Sequence, residues 1–343
     1  MPTISFKPKQ VTKKITSHLQ DRASDVIMNR FGLTSDAKRK TLEEIGKKYS
    51  ITRERVRQVE EAALNLIKKS GAYKGEQAAF DELKSVMHSL GSVVAEEELL
   101  SHISKDKATQ NHIHFFLVLG DAFKNHKEDE HFHTRWSVDE EMTNKVHESL
   151  KKLYSSLSDQ DLISESEMIK KFFEHMKDVS DELRNEEIAK RWLKISKKIS
   201  RNPLGEWGKS SSPNVHTRGV KDYAFLVMRK HGSPMHFREV ADAISKTFNK
   251  KIHYATCHNE LIKDPRFILV GRGMYALAEW GYKAGIAREV IRDILKKDGP
   301  LSKEEIVERV MKERYFKKNT ILVNLVNAKY FKKNKNGLFT VAS

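Results

Sequence analysis

The side chains best suited to reading a nucleic acid lie between residues 41 and 69. Arg53, Glu54, Arg57, Gln58 and Glu61 recur on one face of a stretch whose other face carries Val56, Val59, Ala63 and Ile67. Arginine can pair bidentately with guanine and glutamine with adenine, so long polar side chains at the start of a helix in the major groove would discriminate sequence. The same spacing also describes an amphipathic helix whose charged face meets only water, and periodicity leaves both readings open. A second set of cations, Lys317, Lys318, Lys329, Lys332, Lys333 and Lys335, surrounds a late helix and wing. It is a further candidate for DNA contact, or a solvated basic tail.

Other chemistry finds weaker support. His112, His114, His126, His131 and His133, with Glu128, Asp129 and Glu130, follow no metal-ligand spacing. Cys257 and His258 are sequence neighbours, which on a helix do not face each other. No phosphate-binding glycine loop and no nucleophile elbow occurs, and Gly271-Arg272-Gly273 reads as a turn. No catalytic residue, metal or cofactor is expected.

Charge points the same way. With 63 Lys and Arg against 47 Asp and Glu, the formal net charge is +16, and the mean hydropathy is −0.61. Lysines and arginines set against phosphates release condensed counterions, so a polyanionic partner is favoured. One cysteine in 343 residues rules out an internal disulfide framework. No run of about 18 apolar residues could span a membrane, and the first 20 residues lack a secretory core. A cytoplasmic, nucleoid-associated protein is expected.

The elements that would position the first set can be read locally. An apolar face of Leu19, Val26 and Ile27 predicts a helix near 18–31, stopped by Gly32. Thr41-Leu42-Glu43-Glu44 is a capping box that opens the next helix. That helix ends near Lys48, Tyr49-Ser50-Ile51 forms the turn, and Thr52 caps a helix to about Lys69, with Val56, Val59, Ala63 and Ile67 expected to face its predecessor.

Arg30-Phe31-Gly32-Leu33, then Thr41 to Tyr49 and Thr52 to Glu60, strongly resemble region 4 of sigma-70 family factors over about residues 17–69. The resemblance implies a helix-turn-helix that reads the minus-35 promoter element and docks on the beta flap of RNA polymerase core, bacterial or phage. By it, Arg53, Glu54 and Gln58 would touch base edges, while Arg30, Thr41, Arg55 and Arg57 would hold phosphates. The loop from Leu33 to Thr41 is one residue longer than in housekeeping factors, and Ala62 replaces a usual lysine. About 16 residues precede the match, so the promoter-melting regions 2 and 3 are expected to be missing.

From about Glu76 a pattern of roughly 65–75 residues repeats four times. Each repeat opens on a short apolar segment before a capped acidic helix: Leu90 to Val94, Asp161 to Ile163, Gly232 to Phe237 and Gly299 to Leu301. Each continues with an apolar helix, near 111–119, 186–199, 254–262 and 320–328. Each closes on an apolar segment, 132–138, 202–207, 267–280 and 330–341, and the third of these is a clear hairpin. Helices followed by a hairpin describe a winged helix; a helical solenoid is the alternative. Gly232 to Ala241, Asn259-Glu260-Leu261 and Phe267 to Trp280 resemble the HARE-type helix-turn-helix domain over about 218–282. That resemblance implies a winged helix of DNA-associated proteins, one of which is the delta subunit of bacterial RNA polymerase.

The expected fold is therefore mainly α, a helix-turn-helix followed by tandem winged-helix domains with small β wings. The expected divisions are a basic tail over 1–16, the helix-turn-helix over 17–74, and winged-helix units over 75–140, 141–217, 218–282 and 283–343. A linker is expected within Glu206 to Arg218. The expected function is that of a sigma-like transcription factor bound to double-stranded DNA and polymerase. A repressor or architectural protein, or the DNA-targeting subunit of a restriction or repair system, are the alternatives.

Overall fold

The computed structural model describes residues 4–176, 180–282, 287–313, 316 and 318–342. Lys317, one of the lysines singled out above, lies outside them. Backbone contacts divide the chain into two compact units, residues up to 201 with 205–211, and residues 202–204 with those from 212 onward.

The first unit begins with α1 (Pro8–Thr16), α2 (Asp21–Phe31), α3 (Leu42–Tyr49) and α4 (Arg53–Lys69). Residues 8–16, expected within a tail, are thus helical. Proline at the first helical position forgoes no hydrogen bond, and Val11 and Ile15, one turn apart, are buried while Lys7, Lys9, Lys13 and Lys14 stay exposed. Glycine at 32, with φ +63°, ends α2. The capping box forms as expected: Glu44 N donates to Thr41 Oγ1 at 3.2 Å, and Thr41 N donates to Glu44 Oε2 at 2.7 Å. Arg55 N donates to Thr52 Oγ1 at 3.2 Å to open α4.

The apolar stripe of α4 does not all face α3. Val56 packs with Val26 and Ile45, whereas Ala63 and Ile67 join a larger cluster with Val11, Ile15, Ile27 and Phe31. Length explains the split, because α4 has 17 residues and α3 has 8, so α4 runs past its partner.

After α5 (Gly71–Gly75) comes a winged helix: α6 (Gln77–Ser89), β1 (Val93–Ala95), α7 (Glu96–Ile103), α8 (Lys107–Leu119), β2 (Lys124–His126) and β3 (Arg135–Ser137). Its sheet runs β1-β3-β2, with Val93 opposite Ser137 and Lys124 opposite the same residue on the other side. Strand β2 escaped sequence reading because Lys124 and Asn125 are polar and exposed. The large cluster continues without a break from Val11 to Trp136, across the division expected between residues 74 and 75.

The next repeat contains α9 (Glu140–Ser156), a bridge between Ile163 and Trp207, α10 (Glu165–His175), α11 (Glu186–Leu193), β4 (Ile199–Arg201) and β5 (Trp207–Lys209). Helix α11 stops at Leu193, not at Ile199, because Ile199 opens β4. Trp207 to Lys209, expected in a linker, form the second hairpin strand, with Trp207 buried.

The second unit repeats the order twice. First come α12 (Val220–His231), β6 (Met235–His236), α13 (Phe237–Phe248), α14 (Tyr254–Lys263), β7 (Phe267–Gly271) and β8 (Met274–Leu277), with sheet order β6-β8-β7. Gly273, at φ +70°, turns this hairpin. Arg266 ties the repeat together, donating to Asp222 Oδ1 and Asp264 Oδ2 at 2.8 Å each. Then follow α15 (Ala287–Asp298), a bridge between Leu301 and Phe339, α16 (Lys303–Glu313), α17 (Lys318–Leu325), β9 (Phe331–Lys333) and β10 (Phe339–Val341). In all four repeats the opening segment pairs with the last strand, which defines a winged helix each time.

Candidate nucleic-acid interface

The turn between α3 and α4 sets the geometry of the N-terminal module. Ser50 takes a left-handed φ of +53°. Opposite it, a Cβ at Gly46 would meet Ile51 O, so only glycine lets the turn lie this close to α3. Val56 then seats the first turn of α4 against Ile45 and Val26. Thr52, Arg53, Glu54, Arg55, Arg57 and Gln58 are left exposed at the amino end of α4.

These side chains already organise one another. Arg57 donates to both carboxylate oxygens of Glu54, the shortest contact being 2.8 Å, and to Glu61 at 3.2 Å. The hydrogen bond from Arg57 holds the Glu54 carboxyl below its ordinary value, and the same pairing raises the Arg57 guanidinium. Arg55 Nη1 donates to Gln58 Oε1 at 3.0 Å. Arg53 occupies the first position of α4 and is exposed there. Contacts this exposed exchange readily for bonds to bases or phosphates.

Arg30 is differently placed. Its Nη1 donates to Lys40 O at 3.4 Å, and its Nε lies 3.4 Å from Glu60 without hydrogen-bond geometry. Burial, only partly offset by Arg30, raises the Glu60 carboxyl. Across the module, Lys48 Nζ and Tyr49 Oη both donate to Asp25 Oδ2, at 2.6 and 2.5 Å, tying α3 to α2.

Of the other cations singled out, Lys318, Lys332, Lys333 and Lys335 are exposed on α17 and the last wing. No Asp or Glu occurs from Lys318 to Ala342. Lys333 Nζ stands 5.5 Å over the Phe339 ring.

The third helices of the four repeats divide into two pairs. Helix α8 is covered: it packs on α1 and α2, with Phe115 5.0 Å from Phe31 between ring centres, and Asn111, Ile113, Phe115, Phe116, Leu117 and Leu119 are all buried. Helix α11 is covered too, because Trp192 Nε1 donates to Gly91 O at 3.0 Å and Ile188 packs beside it. Helices α14 and α17 keep outward residues such as Tyr254 and Ile262, and Val323. The covered face of α8 and the helical nature of residues 8–16 were missed by sequence reading. The pair Val11 and Ile15 after Pro8 was the available signal for the latter.

The histidine-rich segment serves structure. Thr12 Oγ1 and His112 Nδ1 lie 2.8 Å apart, and Arg135 Nε donates to His147 Nε2 at 2.7 Å. Among the described residues no three His, Cys, Asp or Glu side chains are grouped to hold a metal ion. Burial pushes the Cys257 thiol up to about 12, and His258 stacks on Phe237 at 4.4 Å.

The fold defines a protein built from a helix-turn-helix module and tandem winged helices. The family model for Sigma-70, region 4 matches residues 17–69. The HARE-HTH model, whose description includes the restriction endonuclease HTH domain, matches residues 218–280. The chain is 43% identical over 60 residues to the RNA polymerase sigma factor RpoD of Helicobacter pylori, in two strains. That alignment covers 18% of this chain and 9% of the relative, so the chain spans under a tenth of the length of these curated relatives. The N-terminal module is thus a sigma-like, DNA-binding helix-turn-helix. Among the described residues no helix is long and apolar enough to cross a membrane.

Proposed function

We propose that the chain acts in transcription initiation as a sigma-like factor that reads a minus-35-type element in duplex DNA and contacts RNA polymerase core at its beta flap. The carrying observation is the exposed row Arg53, Glu54 and Gln58 at the amino end of α4, set by the close turn at Gly46. In this reading those three meet base edges. Thr41, Arg55 and Arg57 meet phosphates, and Arg30 does so on leaving Lys40 and Glu60. Lys318, Lys332, Lys333 and Lys335 add contacts to the DNA backbone, and no catalytic step is required of the chain. Polymerase enters because the relatives that share 60 aligned residues with this chain are named as its sigma factors.

One observation favours a second reading, that of a repressor or architectural protein independent of polymerase. The module's apolar face, Ile27, Phe31, Ala63 and Ile67, is covered by the chain's own residues and is closed to another protein. Co-purification of the tagged chain with polymerase core, followed by sequencing of the bound DNA, separates the two. Core enzyme with a shared minus-35-like motif supports the first; bound DNA without core subunits supports the second.

A further inference from the structure

Helix α8 belongs to a winged helix, yet its central polar side chain addresses the N-terminal module. Asn111 is fully buried. Its Nδ2 donates to Gly32 O and Ala37 O at 2.9 Å each, and its Oδ1 accepts from Arg39 Nε at 2.8 Å. One amide thus binds three residues of a single irregular segment, using both its donor and its acceptor sides.

That segment is shaped to receive it. Ala37 has φ +52°, a conformation that residues with a Cβ adopt only when their surroundings impose it. A Cβ at Gly32 would meet Asn111 Nδ2 at 2.7 Å, so glycine admits the close approach. Beyond Arg39 the segment is pinned again, with Lys40 N donating to Asn29 O at 2.9 Å, and it ends at Thr41, the cap of α3. It carries Lys38, exposed, and Lys40, half-buried.

We propose that Asn111 is a positioning residue for DNA binding, through which α8 clamps residues 32–39 and presents Lys38, Lys40 and the amino end of α3 to backbone phosphates. The inference rests on the DNA-reading role proposed above. Its physical basis is preorganisation: an unclamped segment must be ordered when DNA binds, and that ordering subtracts from affinity.

The test uses the full chain and its Asn111→Ala variant. Both are titrated against a duplex selected by the wild-type chain and a scrambled duplex over a range of salt, with the active fraction fixed by stoichiometric titration. Amide hydrogen exchange is followed over residues 33–41. The variant should bind both duplexes about tenfold more weakly, with a salt slope shallower by roughly one to two. Its ratio between the duplexes should be unchanged, and amides 33–41 should exchange faster. Mere loss of folded protein lowers the active fraction and leaves the slope alone. Should Asn111→Ala not fold, Asn111→Asp keeps the size and the acceptor for Arg39 but cannot donate to the two carbonyls, and should show the same shallower slope. A wild-type affinity and slope in the folded variant overturn the clamp. A wild-type chain that prefers neither duplex overturns the DNA-reading role, and the clamp with it.

Discussion

Gly46 stands so close to the turn of the N-terminal module that a Cβ on it would meet the carbonyl oxygen of Ile51 at 2.6 Å. The atom in the way is backbone, so no side-chain rotation relieves the contact. Gly46→Ala should therefore displace the turn, destabilising the module by about 1–3 kcal/mol and shifting Arg53 relative to α3. Urea unfolding and the ratio of affinities for selected and scrambled duplexes report the two effects. A variant with wild-type values for both would show that the turn yields freely.

The row on α4 divides by what each side chain can recognise. Arg53→Ala or Gln58→Ala should relax sequence preference by about 1–3 kcal/mol per lost base contact. Arg57→Ala should instead weaken all duplexes alike and lower the salt slope by about one, while releasing Glu54 from its bidentate partner. Binding selections on the three variants decide this. Equal weakening of every sequence by all three would remove the base-reading assignment.

His147 gives the chain a pH dependence of known sign. Burial, then the charges of Arg135 and His126, lower its imidazole from 6.5 to about 4, and its Nε2 already accepts a hydrogen bond from Arg135. The unfolded chain therefore takes up this proton first, and stability should fall as pH drops from about 6.5 towards 4. Thermal melts of the wild type and of His147→Gln, which cannot titrate, should diverge over that range, with the variant flatter. Parallel curves would place the acid sensitivity elsewhere.

Trp192 and Gly91 couple the first two winged helices. At Gly91, where φ is +107°, a Cβ would meet Ile188 Cγ2 at 2.7 Å and Trp192 Nε1 at 2.8 Å. Gly91→Ala should cost on the order of 1–3 kcal/mol through backbone strain and crowding. Trp192→Phe loses the indole hydrogen bond to Gly91 O and also leaves a cavity where the second ring of this fully buried side chain packed, so it should cost about 2–4 kcal/mol. Calorimetry on both variants checks the two losses, and wild-type stability in either would contradict the coupling.

Local signals in the sequence were reliable where the physics is local. The Thr41–Glu44 capping box, the stop at Gly32 and the hairpin turned at Gly273 all form where spacing placed them. The mainly α character with small antiparallel wings is also as expected. Reading failed where an element's role depends on distant partners. Strand β2 is a strand only because β3 lies beside it, and Trp207 leaves the expected linker because Ile163 pairs with it. For the interface, the exposed row from Arg53 to Gln58 was legible, since helical periodicity alone assigns it to the polar face. The engagement of Arg30 with Lys40 and Glu60 was not, nor was the role of Asn111, which needs a segment more than 70 residues away in sequence.

The cover that α8 provides also decides how this protein could be taken apart for use in synthetic regulators. A cassette cut at residues 17 and 69 would carry Ile27, Phe31, Ala63 and Ile67 into water as an adhesive surface, inviting aggregation. A fragment from residue 4 through 138 keeps that cluster sealed but opens a second one, because Val93, Ala95 and Phe132 pack with Ile188, Trp192 and Ile195 of the next winged helix. The smallest transplantable recognition element is therefore the helix-turn-helix together with its first two winged helices, the whole of the first compact unit.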